Sequence, residues 1–315
     1  MMRTITDLRL EELTSRNSAM RRCLQLASFA AKSDAPVLIL GRTGTGKTLL
    51  AHAIHNSSAR ANGPFVSFNA SAMSDTLLES ELFGHERGAF TGAMHVHRGK
   101  FETAHTGTLF LDEIADMSPL AQAKILRAVE YGEFERVGGE RLHRSNVRII
   151  SATNCSLRER IAVGKFREDL YHRLDGLVLL IPPLCERQED LPSLIAMELE
   201  AAAAEIGKRI TSIHPAAMEM LLNHAWPGNL RELRNAIERA LILWPAQVLE
   251  PAAFPERIVG KSELGPRLGG DSTVDEIERE HIERVIERTP NLEDAARILG
   301  IDSSTLWRKR KKYGR

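Results

Sequence analysis

The sequence predicts an α/β fold: a parallel, doubly wound sheet, then a helical segment, then a small all-α one. Three observations point to it. Apolar, strand-like runs recur between helical patterns at 37–40, 65–68, 108–111, 147–152 and 177–181, an alternation that builds parallel sheets covered on both faces. The first of these runs leads straight into a glycine-rich stretch, 41–48, and then into a helical pattern, 49–54. After Ile181 the strand signal stops at Pro182-Pro183, and only helical patterns follow.

The first segment, 14–35, reads as an amphipathic helix with Met20, Leu24, Leu26, Phe29 and Ala30 on its apolar side. The loop Gly41-Arg42-Thr43-Gly44-Thr45-Gly46-Lys47-Thr48 stands between a strand and a helix, the context a phosphate-binding loop requires. Its glycines let backbone amides close around an oxyanion, and the helix N-terminus adds positive potential there. Lys47 is placed to reach the β- and γ-phosphates, and the Thr48 hydroxyl to ligate Mg²⁺. A chance glycine turn would have to match every fixed-type position in the right context. The sequence therefore predicts binding of a nucleoside triphosphate.

The strand Thr108-Leu109-Phe110-Leu111 ends in Asp112-Glu113. Alone, an acidic pair after a strand is a solvated strand end. Beside the loop, Asp112 is the second Mg²⁺ residue and Glu113 the carboxylate that polarises an attacking water, which argues for hydrolysis. Beyond Pro183 the helical patterns Leu191–Ile206, Pro215–His224 and Leu230–Leu243 read as a lid. Residues 259–272 have the Gly, Pro and Ser bias of a linker. The expected divisions are 14–182, 183–258, linker 259–272, and 273–315.

The last division reads as a helix over Thr273–Thr289 with the stripe Val274, Ile277, Ile282, Val285 and Ile286, then a short helix, Leu292–Leu299. A turn at Gly300-Ile301 leads to a helix over Ser304–Tyr313 capped by Asp302 or Ser303. A short helix, a glycine turn and a basic helix make a helix-turn-helix pattern. Residues 302–315 hold six basic residues against one acid, so the charge is local to one helix. Ser303, Ser304, Thr305 and Arg308 stand at the helix start to face base edges; Lys309, Lys311 and Lys312 are placed for phosphates. A solvated basic tail is the alternative; the lead-in Ala295-Ala296-Arg297-Ile298-Leu299-Gly300 and a packing face at Thr305-Leu306-Trp307 argue against it.

Composition bounds the rest. The 315 residues suggest two or three domains, and 42 basic against 42 acidic residues exclude a uniformly basic nucleic-acid binder. Cys23, Cys155 and Cys185 form no metal-site or disulfide pattern. The N-terminus lacks a signal-like apolar core, and no run approaches the ~18 apolar residues a membrane span needs. The expectation is a soluble, cytoplasmic protein.

At Gly-Thr-Leu-Phe-Leu-Asp-Glu-Ile (107–114) the chain resembles the sigma-54-dependent, NtrC-type transcriptional activators, whose AAA+ P-loop ATPase fold has a parallel sheet and helical lid. The likeness runs from about residue 14 to the end, and its most specific signature is Gly88-Ala89-Phe90-Thr91-Gly92-Ala93, the family's sigma-54 contact loop. On physical grounds alone these residues suit either a mobile tip with an exposed Phe90 anchor or an ordinary glycine turn with Phe90 tucked inside. The resemblance implies further roles by position. Asn69 would sense the γ-phosphate by gripping Glu113, and Thr153 and Asn154 match sensor I. Arg167 and Arg173 match arginine fingers supplied in trans, and Arg231, in Trp226-Pro227-Gly228-Asn229-Leu230-Arg231-Glu232-Leu233, matches sensor II. Taken singly, such arginines are more often solvated or ion-paired.

The resemblance implies ATP and Mg²⁺ as cofactors and a homo-oligomeric ring, usually a hexamer. It further implies sigma-54 RNA polymerase holoenzyme and double-stranded enhancer DNA as partners. The C-terminal segment resembles the family's Fis-type DNA-binding domain, which usually dimerises through its first helix. Thr48 stands where most members have Glu, Cys185 where they have Arg, and Ala70-Ser71 where Cys-Ala is common. No receiver or sensor segment precedes the ATPase segment, so the expectation is a separate regulatory protein or an internal start. The rival expectation is a DNA-binding regulator that keeps the fold for ligand-dependent assembly without remodelling sigma-54. A replication or recombination motor is disfavoured by the terminal helix-turn-helix.

Overall fold

The computed structural model describes residues 7–71, 73–208, 212–259, 273–289 and 291–312. The chain divides into two compact units, Met1–Ala253 and Phe254–Arg315. In the first, α1 (Ser18–Ala31) starts where the Asn17 side chain accepts from the Met20 amide, four residues later than the periodicity predicts. Its buried face is Met20, Cys23, Ala27, Ala30 and Ala31, whereas Phe29 is 65 % exposed.

Then come β1 (Val37–Leu40), α2 (Lys47–Asn56), β2 (Phe65–Asn69), α3 (Asp75–Phe83), β3 (Gly84–His85), β4 (His97–Arg98) and α4 (Lys100–Thr103). They are followed by β5 (Thr108–Asp112), α5 (Pro119–Tyr131), β6 (Glu133–Glu135), β7 (Leu142–Arg144) and β8 (Arg148–Thr153). The sheet region closes with α6 (Leu157–Ala162), α7 (Glu168–Leu174) and β9 (Leu177–Leu180).

The five predicted strands form one sheet in the order β2-β5-β8-β1-β9, every pairing parallel. Alternate residues of a strand point to opposite faces, so the sheet has two cores. Val37, Ile39, Phe110, Ile150 and Leu179 pack with α1 and α2; Leu38, Leu109, Leu111 and Ile149 pack with α3, α5 and α7. Burial on both faces explains why β1, β5 and β8 read as continuous apolar runs; β2 and β9, at the edges of the sheet, are buried only in part. The antiparallel pairs β3–β4 and β6–β7, of two and three residues per strand, are too short to leave a periodicity.

Beyond β9 the lid comprises α8 (Leu191–Ile206), β10 (Ser212–Ile213), α9 (Pro215–Asn223), α10 (Asn229–Leu243) and β11 (Val248–Leu249). Trp226 is fully buried between the last two helices, its indole N–H donating to Leu221 O at 2.9 Å. No helix among the described residues is long and apolar enough to cross a membrane.

The second unit contains α11 (Glu256–Val259), α12 (Val274–Arg288), α13 (Leu292–Leu299) and α14 (Ser303–Lys312). Ile282, Ala295, Ala296 and Leu306 form its core, with Val285, Ile286, Leu299 and Ile301 against it. Two expected packing residues are solvent-facing instead: Val274 is 82 % and Trp307 58 % exposed. Of the expected linker, 260–272 lie outside the described residues.

Candidate active site

A cleft of about 630 Å³ lies where the sheet's carboxyl edge meets the lid. Thr43, Gly44, Gly46, Lys47 and Thr48 line its floor, and Asn69, Asp112, Glu113 and Asn154 descend from the strand ends. Parallel α/β sheets bind ligands at this edge. Gly44 and Gly46 take φ of 79° and 100°, the left-handed region that favours glycine. At Gly44 the lid adds a steric reason: a Cβ would lie 2.3 Å from Gly228 O. Lys47, 6 % exposed, donates to Gly41 O at 3.1 Å and to Glu113 Oε1 at 3.4 Å. Gly41, Arg42 and Thr45 of the predicted set do not line this cleft: Gly41 and Arg42 line a second cavity that shares Asn154 with it, and the buried Thr45 hydroxyl donates to Arg42 O at 2.8 Å.

The acidic pair faces the lysine. Glu113 itself is left-handed, φ 52°, a conformation uncommon outside glycine. Its carboxylate touches Lys47 through Oε1 and accepts from the Asn154 amide through Oε2 at 3.2 Å. Burial, and then the neighbouring Glu113 charge, hold the Asp112 carboxyl above the usual carboxylate range. A divalent cation beside Asp112 would reverse that shift, and the Thr48 hydroxyl lines the same cleft, so the donors are the hard oxygens Mg²⁺ takes.

The strand register places Asn69 opposite Asp112, but the expected grip on Glu113 is not made. Asn69 Oδ1 instead accepts from the Ser71 amide at 2.8 Å and the Ser71 hydroxyl at 2.6 Å. Of the sensor pair only Asn154 lines the cleft, donating to Thr43 Oγ1 at 3.1 Å. Thr153 is fully buried, its hydroxyl oxygen accepting from the Cys155 amide.

The lid contributes Arg231, as expected, together with Leu230, Arg234 and Glu198. Arg234 lies three residues after Arg231 on α10, the spacing that puts two side chains on one face. It is held by Glu238 at 2.7 Å and Glu205 at 3.4 Å. Glu198, on α8, has its carboxyl raised by burial first, with Arg234 lowering it. Neither residue carries a local motif; the i, i+3 spacing from Arg231 is the one signal that marks Arg234. Asp116 is also in the cleft and was not predicted.

Arg167 and Arg173 are not brought into this cleft. Arg167 stands at the residue before α7, without a side-chain capping bond, and pairs with Asp169 at 2.6 Å on the surface; Arg173 reaches Glu130 O at 3.4 Å. Residues 88–93 form a compact turn between β3 and β4, closed by Gly88 N to Ala93 O at 2.8 Å and Ala93 N to Phe90 O at 3.0 Å. Gly88 and Gly92 are left-handed with φ of 86° and 104°, and nothing lies within 4 Å of a Cβ built at either. Thr91 is exposed, while Phe90 is not the free anchor of the tip reading. It is half-buried edge-on against His85, ring centroids 4.9 Å apart.

In the second unit Asp302 caps α14, accepting from the Thr305 amide at 2.9 Å and from the Ser304 and Thr305 hydroxyls at 2.5 and 2.8 Å. These bonds hold its carboxyl well below the usual range. Ser304 and Thr305 therefore spend their hydroxyls on the cap. Lys309 forms an ion pair with Glu278 of α12 at 2.6 Å, and Lys311 lies 5.4 Å from the Trp307 ring centroid. Ser303 and Arg308 are exposed at the helix start, and the Lys312 side chain lies outside the described residues. Asp302→Ala is expected to weaken binding to duplex DNA several-fold in an anisotropy titration, whereas Asp302→Asn, which keeps a capping acceptor, stays near wild type.

Comparison with known proteins agrees with this architecture. The sigma-54 interaction domain matches residues 13–180, an AAA+ ATPase lid domain 185–268, and the Fis family of bacterial regulatory proteins 273–313. The transcriptional regulatory protein ZraR of Klebsiella oxytoca is 46 % identical over 294 residues, 92 % of this chain and 66 % of the relative. The Nif-specific regulatory protein of Azotobacter vinelandii is 51 % identical over 224 residues, 71 % of this chain and 43 % of the relative. The chain thus spans about two-thirds of the first relative and under half of the second. A crystal structure of NtrX from Brucella abortus in complex with ATP is 39 % identical, with a TM-score of 0.72 over 96 % of this chain and 69 % of that one. Thermotoga maritima RuvB, at 19 % identity and a TM-score of 0.53 over 95 % of this chain and 87 % of that one, shares the fold alone. With the glycine loop, the acidic strand end, the lid arginine and the terminal helix-turn-helix all in place, the chain belongs to the sigma-54-dependent transcriptional activators, with an AAA+ domain, a helical lid and a Fis-type helix-turn-helix domain.

Proposed function

We propose that the chain is an ATP-hydrolysing transcription activator that binds enhancer DNA and remodels sigma-54 RNA polymerase holoenzyme to open the promoter. The observation that carries this reading is the cleft, where Lys47, Thr48, Asp112, Glu113, Asn154 and Arg231 converge on one glycine-rich loop. Lys47 and the loop amides bind the β- and γ-phosphates, and Arg231 approaches from the lid. Glu113 holds a water in line with the γ-phosphate; Lys47 and the Asn154 amide fix its carboxylate until then. Asn69, beside Asp112 in the register, is placed to take over Glu113 once its bond to Ser71 is given up. Bound Mg²⁺, held by Thr48 and Asp112, would neutralise charge developing on the phosphates.

Neither Arg167, just before α7, nor Arg173, on it, lines the cleft of its own chain. A neighbouring protomer supplying them accounts for that placement, so the working form is a ring, taken as a hexamer. Hydrolysis then shifts the 88–93 turn, whose exposed Thr91 meets sigma-54. DNA is held through Ser303, Ser304, Thr305, Arg308 and the lysines of α14. Lys309 must exchange Glu278 for phosphate, and the Ser304 and Thr305 hydroxyls remain shared with Asp302.

The test is open-complex formation on a sigma-54 promoter with ATP. Thr91→Ala should abolish it while ATP hydrolysis persists. Full open-complex activity in the variant would overturn the loop assignment and favour a regulator that uses the fold only to assemble.

A further inference from the structure

The phosphate loop is held from outside by the lid. Three successive carbonyls of the loop accept hydrogen bonds from residues beyond the sheet: Thr43 O from Asn229 Nδ2 at 2.9 Å, Gly44 O from the Leu230 amide at 3.0 Å, and Thr45 O from Arg187 Nη2 at 3.3 Å. The two side-chain donors are buried. Asn229 is 1 % and Arg187 4 % exposed, and Asn229 is held left-handed at φ 53°. The other side of the Asn229 amide is fixed too, its Oδ1 accepting from the Leu184 amide at 2.7 Å. The Arg187 Nε is buried without a partner, so the guanidinium lacks a full set of acceptors; Asp190 is close enough to act on its charge, but no salt bridge to it forms among the described residues.

The geometry has a consequence for phosphate binding. Among the described residues the amides of Thr43, Gly44, Gly46 and Lys47 donate to no protein acceptor. An anion-binding loop needs its amides turned inward, so its carbonyls must turn outward, where each needs a donor. Here the lid and the segment leading into it supply those donors.

We propose that Asn229 and Arg187 are positioning residues for nucleotide binding: by capping Thr43 O and Thr45 O they make the phosphate-ready form of the loop conditional on a docked lid. This deepens the nucleotide-binding reading above and rests on it. Linkage is reciprocal, so a nucleotide that selects the inward-amide loop tightens lid docking by the same factor by which docking tightens the nucleotide. The lid thus takes part in reading the phosphate through backbone carbonyls, in addition to the Arg231 side chain. Sequence alone shows only an asparagine and an arginine in lid motifs; the spatial convergence on three consecutive peptides appears with the fold.

Two variants test this. Asn229→Asp keeps the acceptor for Leu184 and a residue type that tolerates positive φ, but removes the donor to Thr43 O. Arg187→Met removes the donor to Thr45 O together with a buried, incompletely paired charge, so it is the variant expected to stay folded. The readouts are the affinity for ADP without and with magnesium, and hydrogen exchange at the Leu230 amide, which reports lid docking at Gly44 O. The expected result is about tenfold weaker ADP binding in each variant, the worth of one lost bond. Leu230 protection should fall in the nucleotide-free variants, and saturating ADP should restore it. Arg187→Lys should recover part of both. Unchanged ADP affinity in a folded Arg187→Met protein overturns the proposal, as does weakened affinity with unaltered Leu230 protection. If wild type and Lys47→Ala proteins alike fail to bind ADP, the nucleotide-binding reading itself has failed, and the proposal with it.

Discussion

Arg173→Ala should lower the rate of ATP hydrolysis by about 10³–10⁵-fold, the worth of an arginine finger in phosphoryl transfer. Its guanidinium reaches only the Glu130 carbonyl at 3.4 Å on an exposed surface, and it is absent from the walls of its own chain's cleft. A finger in trans makes a sharper statement than loss alone. Mixing Arg173→Ala protomers, whose cleft is intact, with Lys47→Ala protomers, whose cleft is dead but whose α7 is intact, should restore part of the activity. Neither variant should hydrolyse ATP alone. If mixtures stay as inactive as the separate proteins under conditions where they co-assemble, the arginine acts within its own chain or not at all. Arg167, paired with Asp169 at 2.6 Å, must first exchange that partner, so its alanine variant should show the same complementation.

Glu113→Gln should cut hydrolysis by about 10²–10⁴-fold while leaving nucleotide affinity near wild type, the behaviour of a general base that contributes mainly in the transition state. The carboxylate is held by two donors, Lys47 and the Asn154 amide, so the amide variant keeps one acceptor oxygen and the left-handed turn is not forced to refold. Pre-steady-state kinetics with equilibrium titration of ADP separates the two quantities. Affinity lost in parallel with rate would mean that the Lys47–Glu113 contact shapes the floor, and the base would then have to be sought elsewhere in the cleft. Asp116 also lines that cleft and is the next carboxylate to examine.

Much of this molecule was legible residue by residue. The strand at 37–40 and the helix at 191–206 are where their patterns put them, and the strand expected at 177–181 ends one residue early; at 37–40 the reason is burial on both faces, which leaves an apolar run with few alternative readings. Helix ends were legible where a side chain makes the cap: of the two expected caps, Asp302 and Ser303, it is Asp302 that starts α14, one residue earlier than expected. Where the sequence misjudged burial, the cause was neighbours it does not contain. Phe29, Val274 and Trp307 have the right spacing for a packing face, yet among the described residues they stay exposed. Phe90, for which the residues alone allowed either an exposed tip or a tucked ring, is half-buried edge-on against His85.

The sequence by itself determined the parallel sheet, the loop that cradles phosphate, the acidic pair after β5 and the terminal helix-turn-helix. Each is a local pattern, and its chemistry follows from which residues stand next to one another along the chain. Only the tertiary structure decided which of those residues meet. It joined Lys47 to Glu113 across 66 positions, turned Asn69 to Ser71, buried Thr153 behind Asn154, and left Arg167 and Arg173 outside the cleft. It also brought Asn229 and Arg187 to the carbonyls of the glycine loop. Asn69–Ser71 and Thr153–Cys155 are local bonds, but the Lys47, Asn229 and Arg187 contacts join segments distant in sequence, set by the packing of the lid and strands against one another. A one-dimensional pattern carries no record of them.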